Sequence, residues 1–172
     1  GAFRIFFFMH QEPSGVWIMS YTNGLDNPEL YFQTKLYTGN GTSQSITLDG
    51  SENMQPDWVW IKERSSTSDH SLHDSVRGST KIVKSSTNAA EITRTGSITS
   101  FDSDGFTLGD NGDVNYSGSN TYVSWNWKAG GSASSNSDGD VTSSVSANTT
   151  AGFSIVKFTA SSSSGAMTVG HG

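Results

Sequence analysis

The chain contains no cysteine. A disulfide framework and a thiolate metal site are therefore both excluded, and nothing follows about its redox compartment. Charge is sparse as well, with only 15% Asp, Glu, Lys and Arg. The ten Lys and Arg are scattered, there is no basic stripe, and the formal net charge is −6. Binding to a phosphate backbone needs a clustered positive surface, so no nucleic-acid partner is expected. Long apolar runs are missing too. Nothing approaches the ~18 residues of a membrane-spanning helix, so no membrane insertion is expected. The opening GAFRIFFFMH is apolar but has no Ala-x-Ala-like cleavage site and too short a hydrophobic core for a signal peptide. It reads as a strand.

What the chain does have is rings and small polar residues. Hydrophobic residues make up only 33%, yet there are five Trp, five Tyr and nine Phe. A few large rings can carry much of a core, because each buries a large area. Ser, Thr, Asn and Gly fill much of the remainder. They disfavour long helices, since Ser, Thr and Asn compete with the helical backbone and Gly costs entropy there.

Along the chain, apolar runs alternate with turn clusters. FRIFFFM and VWIMSY flank a Pro-Ser-Gly turn and read as a strand pair at residues 1–22. YFQTKLYT, SITL, DWVWIKE, short runs around KIVK and EIT, FDSDGFTL around an Asp-Gly turn, and TYVSWNWKA follow. Many short strands at roughly 8- to 12-residue spacing point to an all-β sandwich or barrel. DWVWIKE is apolar on both faces, as in strands covered on both sides. In TYVSWNW the alternation puts Val123, Trp125 and Trp127 on one face, which reads as core. The stretch 130–151 has no aromatic residue and reads as a Ser/Gly-rich linker.

After that stretch the pattern restarts. KLYTGNGTSQSITLDG (35–50) aligns with VKFTASSSSGAMTVGH (156–171) at a constant offset of 121. Tyr37 matches Phe158, Thr38 matches Thr159, Ile46 matches Met167 and Leu48 matches Val169. The expected organisation is an N-terminal strand pair or anchor (1–22), a β-sandwich module (23–129), the linker (130–151), and the first strands of a truncated second copy (152–172). A repeat of ~120 residues is the size of one domain.

The ordered motifs PDWVWIKERS, HDSVRGSTK, SFDSDGFTLGDNGDVN, TYVSWNWKAGG and TTAGFSIVKFT followed by TVGHG carry a family likeness. Over roughly residues 30–172 the chain resembles a domain that recurs in phage virion proteins, above all tail-fibre and particle-surface proteins of marine and cyanobacterial phages. The resemblance implies a jelly-roll sandwich of the concanavalin A or laminin G type, often in tandem, and localisation in the virion. It implies no catalytic residues. The expected partners are other copies of the chain, with a trimer favoured, other virion proteins, and host-surface glycans.

Several constellations admit either a functional or a plain structural role. Asp69, His70, His73 and Asp74 include zinc-type ligands, but the helix or cysteine context of a strong zinc signature is missing. Ser71, His73 and Asp74 contain the groups of a hydrolytic triad, yet such triads draw on distant segments, and no Gly-x-Ser-x-Gly elbow occurs. The preferred reading of the stretch 64–75 is a polar loop in which Asp74 and Arg77 form a structural ion pair across a turn closed by Gly78. Asp102, Asp104, Asp110 and Asp113 lie in DSDG and DNGD, which resemble the start of a calcium loop. The bidentate Glu of the full pattern is missing, so Asp-Gly turns are the preferred reading, with calcium as the one cofactor the pattern admits. Trp58 and Trp60 are the candidates for stacking on a sugar, although a core position is the preferred reading for them, because buried rings dominate small β cores. Glu52, Glu63 and Glu91 are far apart in sequence and do not read as the facing carboxylates of a glycosidase. The sequons NGT, NYS and NTT carry no weight in a phage protein. No enzymatic activity is expected; a lectin-like domain and a capsid decoration protein are the alternatives to a fibre module.

Overall fold

The computed structural model describes residues 9–11, 17–19, 25, 27–161 and 165–172, the first two groups by backbone alone. The strands are β1 (Met9–Gln11), β2 (Trp17–Met19), β3 (Phe32–Thr38), β4 (Gln44–Thr47), β5 (Trp58–Glu63), β6 (Ser71–Asp74), β7 (Lys81–Ile82), β8 (Ile92–Thr93), β9 (Ile98–Asp102) and β10 (Gly105–Leu108). A single helical turn α1 (Gly112–Asn115) precedes β11 (Thr121–Trp127), β12 (Ser134–Asn136), β13 (Ser143–Asn148) and β14 (Phe153–Phe158). β1 and β2 pair with each other; most of the apolar run before β1 lies outside the described residues.

The protein is an all-β sandwich. One sheet has the order β3-β11-β5-β6 and the other β4-β10-β9, with every pairing antiparallel. Between them lies a core of Tyr37, Ile46, Val59, Ile61, Ile98, Phe106, Leu108, Val114 and Tyr122. The period-2 alternation of strands sends Val59, Ile61 and Glu63 inward from β5, and Tyr122, Ser124 and Asn126 inward from β11.

Half of that inner face is polar, and apart from Asn126 Oδ1 and Ser71 Oγ it is hydrogen-bonded. Asn126 donates to the Gln33 carbonyl (3.1 Å) and to Ser124 Oγ (3.0 Å). Gln33 donates to the carbonyls of Glu29 and Glu52 and accepts from Gly50 N–H, each at 2.9 Å, which fastens the loop after β4. At the other end, Tyr37 donates to the Val114 carbonyl and Tyr122 to the Gly112 carbonyl. Asn115 donates to the carbonyls of Thr42 and Gly109 and accepts from Asn40 N–H. The one-turn helix is thus the pin that closes this end of the sandwich.

The β9–β10 hairpin turns at Ser103-Asp104, and Gly105 follows with φ +120°. A Cβ there would stand 2.0 Å from the Ile46 carbonyl oxygen, so only glycine fits.

Three expectations change. Residues 71–74 are not loop: Ser71–Asp74 is a strand with all four residues buried, bonded to β5 and bridged by Leu72 to Val83. The stretch 130–151 is not a plain linker. It contributes β12 and β13, which join β14 in a three-stranded sheet. Small side chains suffice because each face buries only a few positions: Ser143 and Val145 on one, Ser146 and Ile155 on the other. Trp125 and Trp127 do not face the core. The smaller Ser124 and Asn126 do, and the tryptophans lie on the outer face of the four-stranded sheet.

Candidate functional site

The outer face of the four-stranded sheet is paved with rings. Register places Trp127 between Phe32 and Trp58, Trp125 between Thr34 and Trp60, and Val123 between Leu36 and Lys62. Trp127 packs against Phe32 with centroids 4.8 Å apart, and Trp60 against Trp125 at 5.6 Å in an edge-on arrangement. Trp60 also donates its indole N–H to His70 Nδ1 at 2.8 Å, which fixes its orientation.

One end of this face is covered. Phe153 from β14 stacks on Trp127 (6.2 Å, interplanar 22°) and meets Trp58 edge-on (6.3 Å). Among the described residues the other end is open. Leu36 is 60% exposed, and Trp60 and Trp125 are half-buried. Aromatic rings held rigidly on a sheet offer flat apolar area with little entropy left to lose on contact. Of the two candidate stacking residues, Trp58 is occupied by Phe153 and Trp60 lies toward the open end. Its cross-strand neighbour there is Trp125, which sequence reasoning assigned to the core.

The other expected groupings do not assemble. His70 sits beside Trp60 on the outer side, whereas His73 points into the core opposite Val59. His73 Nδ1–H donates to the Ser79 carbonyl (2.8 Å), which leaves Nε2 to accept from Ser97 Oγ (3.3 Å). Burial is the main cause that depresses its pKa to about 4, with the Arg77 charge adding to it and the Ser79 bond and Asp74 opposing it. Ser71 is buried and its Oγ has no hydrogen-bond partner, so it is not joined to His73 as a nucleophile is to its base.

Asp74 and Arg77 do meet. Arg77 N–H donates to Asp74 Oδ1 (2.7 Å), Nε donates to Oδ2, Nη2 donates to the Leu72 carbonyl and Nη1 to Glu91. Gly78, at φ +107°, closes the turn with a hydrogen bond to the Asp74 carbonyl.

The four aspartates of the expected calcium grouping have separate duties. Asp102 accepts from Ser100 and Thr107, Asp104 from Met54 N–H, Asp113 lies 3.8 Å from Lys84 Nζ, and Asp110 lines a shallow depression with Gly96 and Thr42. Among the described residues no group of three or more acidic or histidine side chains converges on a metal position. Asp102 is held within its own hairpin and Asp104 ties the β9–β10 turn to Met54. The carboxylates Glu52, Glu63 and Glu91 stay apart as well. Burial pushes Glu63 upward, but hydrogen bonds from Ser68, Asn120 and Ser65 outweigh it and hold the carboxyl below its usual range. No described helix is long and apolar enough to cross a membrane.

The face assignment was the signal that sequence reasoning misread. In β5 the β-branched Val59 and Ile61 alternate with Trp58 and Trp60, and the β-branched pair takes the core. Pairing β11 in register with β5 then sends its tryptophans outward.

No curated protein and no solved structure matches the chain. One family does match, over residues 27–172, which takes in both the sandwich and the β12–β14 sheet. The chain belongs to that family, described as a domain of unknown function, DUF7483.

Proposed function

We propose that the domain is a non-catalytic structural and adhesive module of a phage particle, carried on a tail fibre or another exposed surface of the virion. The observation that carries this reading is the open aromatic end of the outer face, where Trp60, Trp125 and Leu36 stand together on a rigid sheet. The ordered motifs PDWVWIKERS, SFDSDGFTLGDNGDVN and TYVSWNWKAGG support the virion assignment through their likeness to phage modules with a jelly-roll sandwich. Adhesion would work through avidity: weak contacts from several copies gain from high effective concentration, and a cyclic homo-oligomer such as a trimer presents them on one side.

A second reading is favoured by the same face. Tryptophans packed edge to face, with a histidine and a lysine at the margin, suit the apolar side of a sugar ring, which makes lectin-like recognition of host glycans the specific form of adhesion.

Two measurements test this. Gold-labelled antibody to residues 31–129 on intact particles should mark tail fibres. Label spread over the head would make the protein a capsid decoration, and no label on any particle refutes the virion reading. Glycan-array binding by the wild type, lost in Trp60→Ala and Trp125→Ala with the fold intact by circular dichroism, supports the lectin form. Equal binding by the variants refutes it.

A further inference from the structure

Residues 27–38 and 148–159 stand 121 positions apart. Each segment holds an Asn bonded to a nearby backbone N–H ahead of a Phe: Asn27 Oδ1 accepts from Glu29 N–H, two residues on, and Asn148 Oδ1, at the end of β13, from Ala151 N–H, three residues on, each at 3.0 Å. Phe32 and Phe153 open their strands and both pack on Trp127. β3 and β14 are both edge strands. Behind Tyr37 the core is closed by Ile46 of β4. The corresponding C-terminal residues lie against the equivalent face of the smaller sheet. The Gly170 carbonyl accepts from Ser143 Oγ, and the Cα of Gly172 lies over Ala147 and Val145, on the face that register shares with Val156 and Phe158.

One partner differs. β3 is bonded along its whole length to β11, and Tyr37 there is 8% exposed and stacked on Tyr122 at 5.1 Å. β14 pairs only with β13 among the described strands, and Phe158, the counterpart of Tyr37, is 46% exposed.

The backbone directions agree. Gly39 N–H bonds to the Asn120 carbonyl and Lys128 N–H to the Tyr31 carbonyl. Alternation therefore turns the peptide groups of Gln33, Lys35 and Tyr37 toward β11. Across the smaller sheet, the Ala147 carbonyl faces Gly130 on the β12 side. Its neighbours Ser146 and Asn148 thus face β14 and use up the peptide groups of Ile155 and Phe153. The groups of Ser154, Val156 and Phe158, which correspond to Gln33, Lys35 and Tyr37, point to the free edge.

We infer that the free edge of β14 is an acceptor for a β11-type strand, of sequence TYVSWNW, from a second copy of this domain in which β14 takes the place that β3 has here beside β11. The register follows from the β3–β11 pairing. Phe158 lies opposite the incoming Tyr122, Val156 opposite Ser124, Ser154 opposite Asn126, and Phe153 opposite Trp127. The backbone supplies affinity and the Phe158 ring, laid on the incoming tyrosine, supplies selectivity. Nothing on β14 guards the edge: it has no proline, and its one charge, Lys157, lies on the other face from Phe158. The inference rests on the repeat and the edge geometry, and is independent of the adhesive reading.

The test uses the full chain, isotope-labelled, titrated with a synthetic peptide of residues 120–128. Shift changes confined to residues 153–159, with slowed amide exchange at Ser154, Val156 and Phe158, are expected. A peptide N-methylated at Ser124 should bind at least about tenfold more weakly, and one methylated at Val123, whose N–H faces away from the acceptor edge, should bind as before. Because these changes sit in the peptide, the fold of the chain is untouched. Phe158→Asp in the chain should also weaken binding. No binding, equal binding of both methylated peptides, shifts elsewhere, or a β14-to-β14 dimer of the chain alone overturns the inference.

Discussion

His73 makes the stability of the sandwich depend on pH over a definite window. Its ring is fully buried in the core, held by Ser79 and Ser97, and burial pushes its pKa down to about 4 from the ordinary 6.5. The folded state therefore stays neutral at a pH where the unfolded chain takes up a proton. Stability is fully present above pH 6.5 and is lost as pH falls from there toward 4. The whole depression corresponds to about 3 kcal/mol, and linkage puts about 2 kcal/mol of it between pH 7.5 and pH 5. Urea unfolding followed by tryptophan fluorescence at the two pH values measures the loss. His73→Gln can still donate to the Ser79 carbonyl but cannot titrate. It should be less stable than the wild type at pH 7.5 and lose about 2 kcal/mol less on going to pH 5. Carboxylates such as Glu63 titrate lower and are common to both proteins, so the difference between them isolates the histidine. The same pH slope in both proteins would refute the assignment of a neutral core imidazole.

Two further outcomes follow from the contacts. Arg77→Met leaves the Asp74 carboxylate buried beside the Leu72 carbonyl without its cation, and should cost about 3 kcal/mol in chemical denaturation; a cost below about 1 kcal/mol would mean that water replaces the guanidinium freely. Phe153→Ala removes the ring between Trp58 and Trp127 and should speed amide exchange in β13 and β14 while leaving β5 and β11 protected. Equal loosening of both sheets would show that they unfold together.

The all-β class was legible because turn residues recur at short intervals and few stretches could hold a helix. Most strands of the sandwich were legible for the same reason. The two sides of β11 were not. Its alternation offered Trp and Val on one side and Tyr, Ser and Asn on the other, and hydrophobicity alone favours burying the first. What reverses it is tertiary: Gln33 on β3 supplies a partner for Asn126, and α1 supplies carbonyls for Tyr37 and Tyr122. The strand Ser71–Asp74 was hidden in the same way, since a buried His and Asp are tolerable only once Ser79, Ser97 and Arg77 are in place. The Asp74–Arg77 turn was visible because both ends lie within four residues and Gly78 marks its close. β12 and β13 escaped notice because their few buried positions are filled by Ser and Val, with no ring or long apolar side chain to mark a strand.

The polar inner face of the sandwich has a consequence for strand alignment. An apolar face is nearly indifferent to a two-residue slip, since the same kind of side chain still points inward. Here a slip of β3 along β11 would carry Gln33 away from Asn126 and from the three loop groups it holds, and Tyr37 away from Tyr122. Each shifted alignment would strand buried donors and acceptors at about 1–3 kcal/mol apiece. The amides and phenols thus act as a key cut to one position, and the sheet closes in a single register because the others leave polar atoms dry.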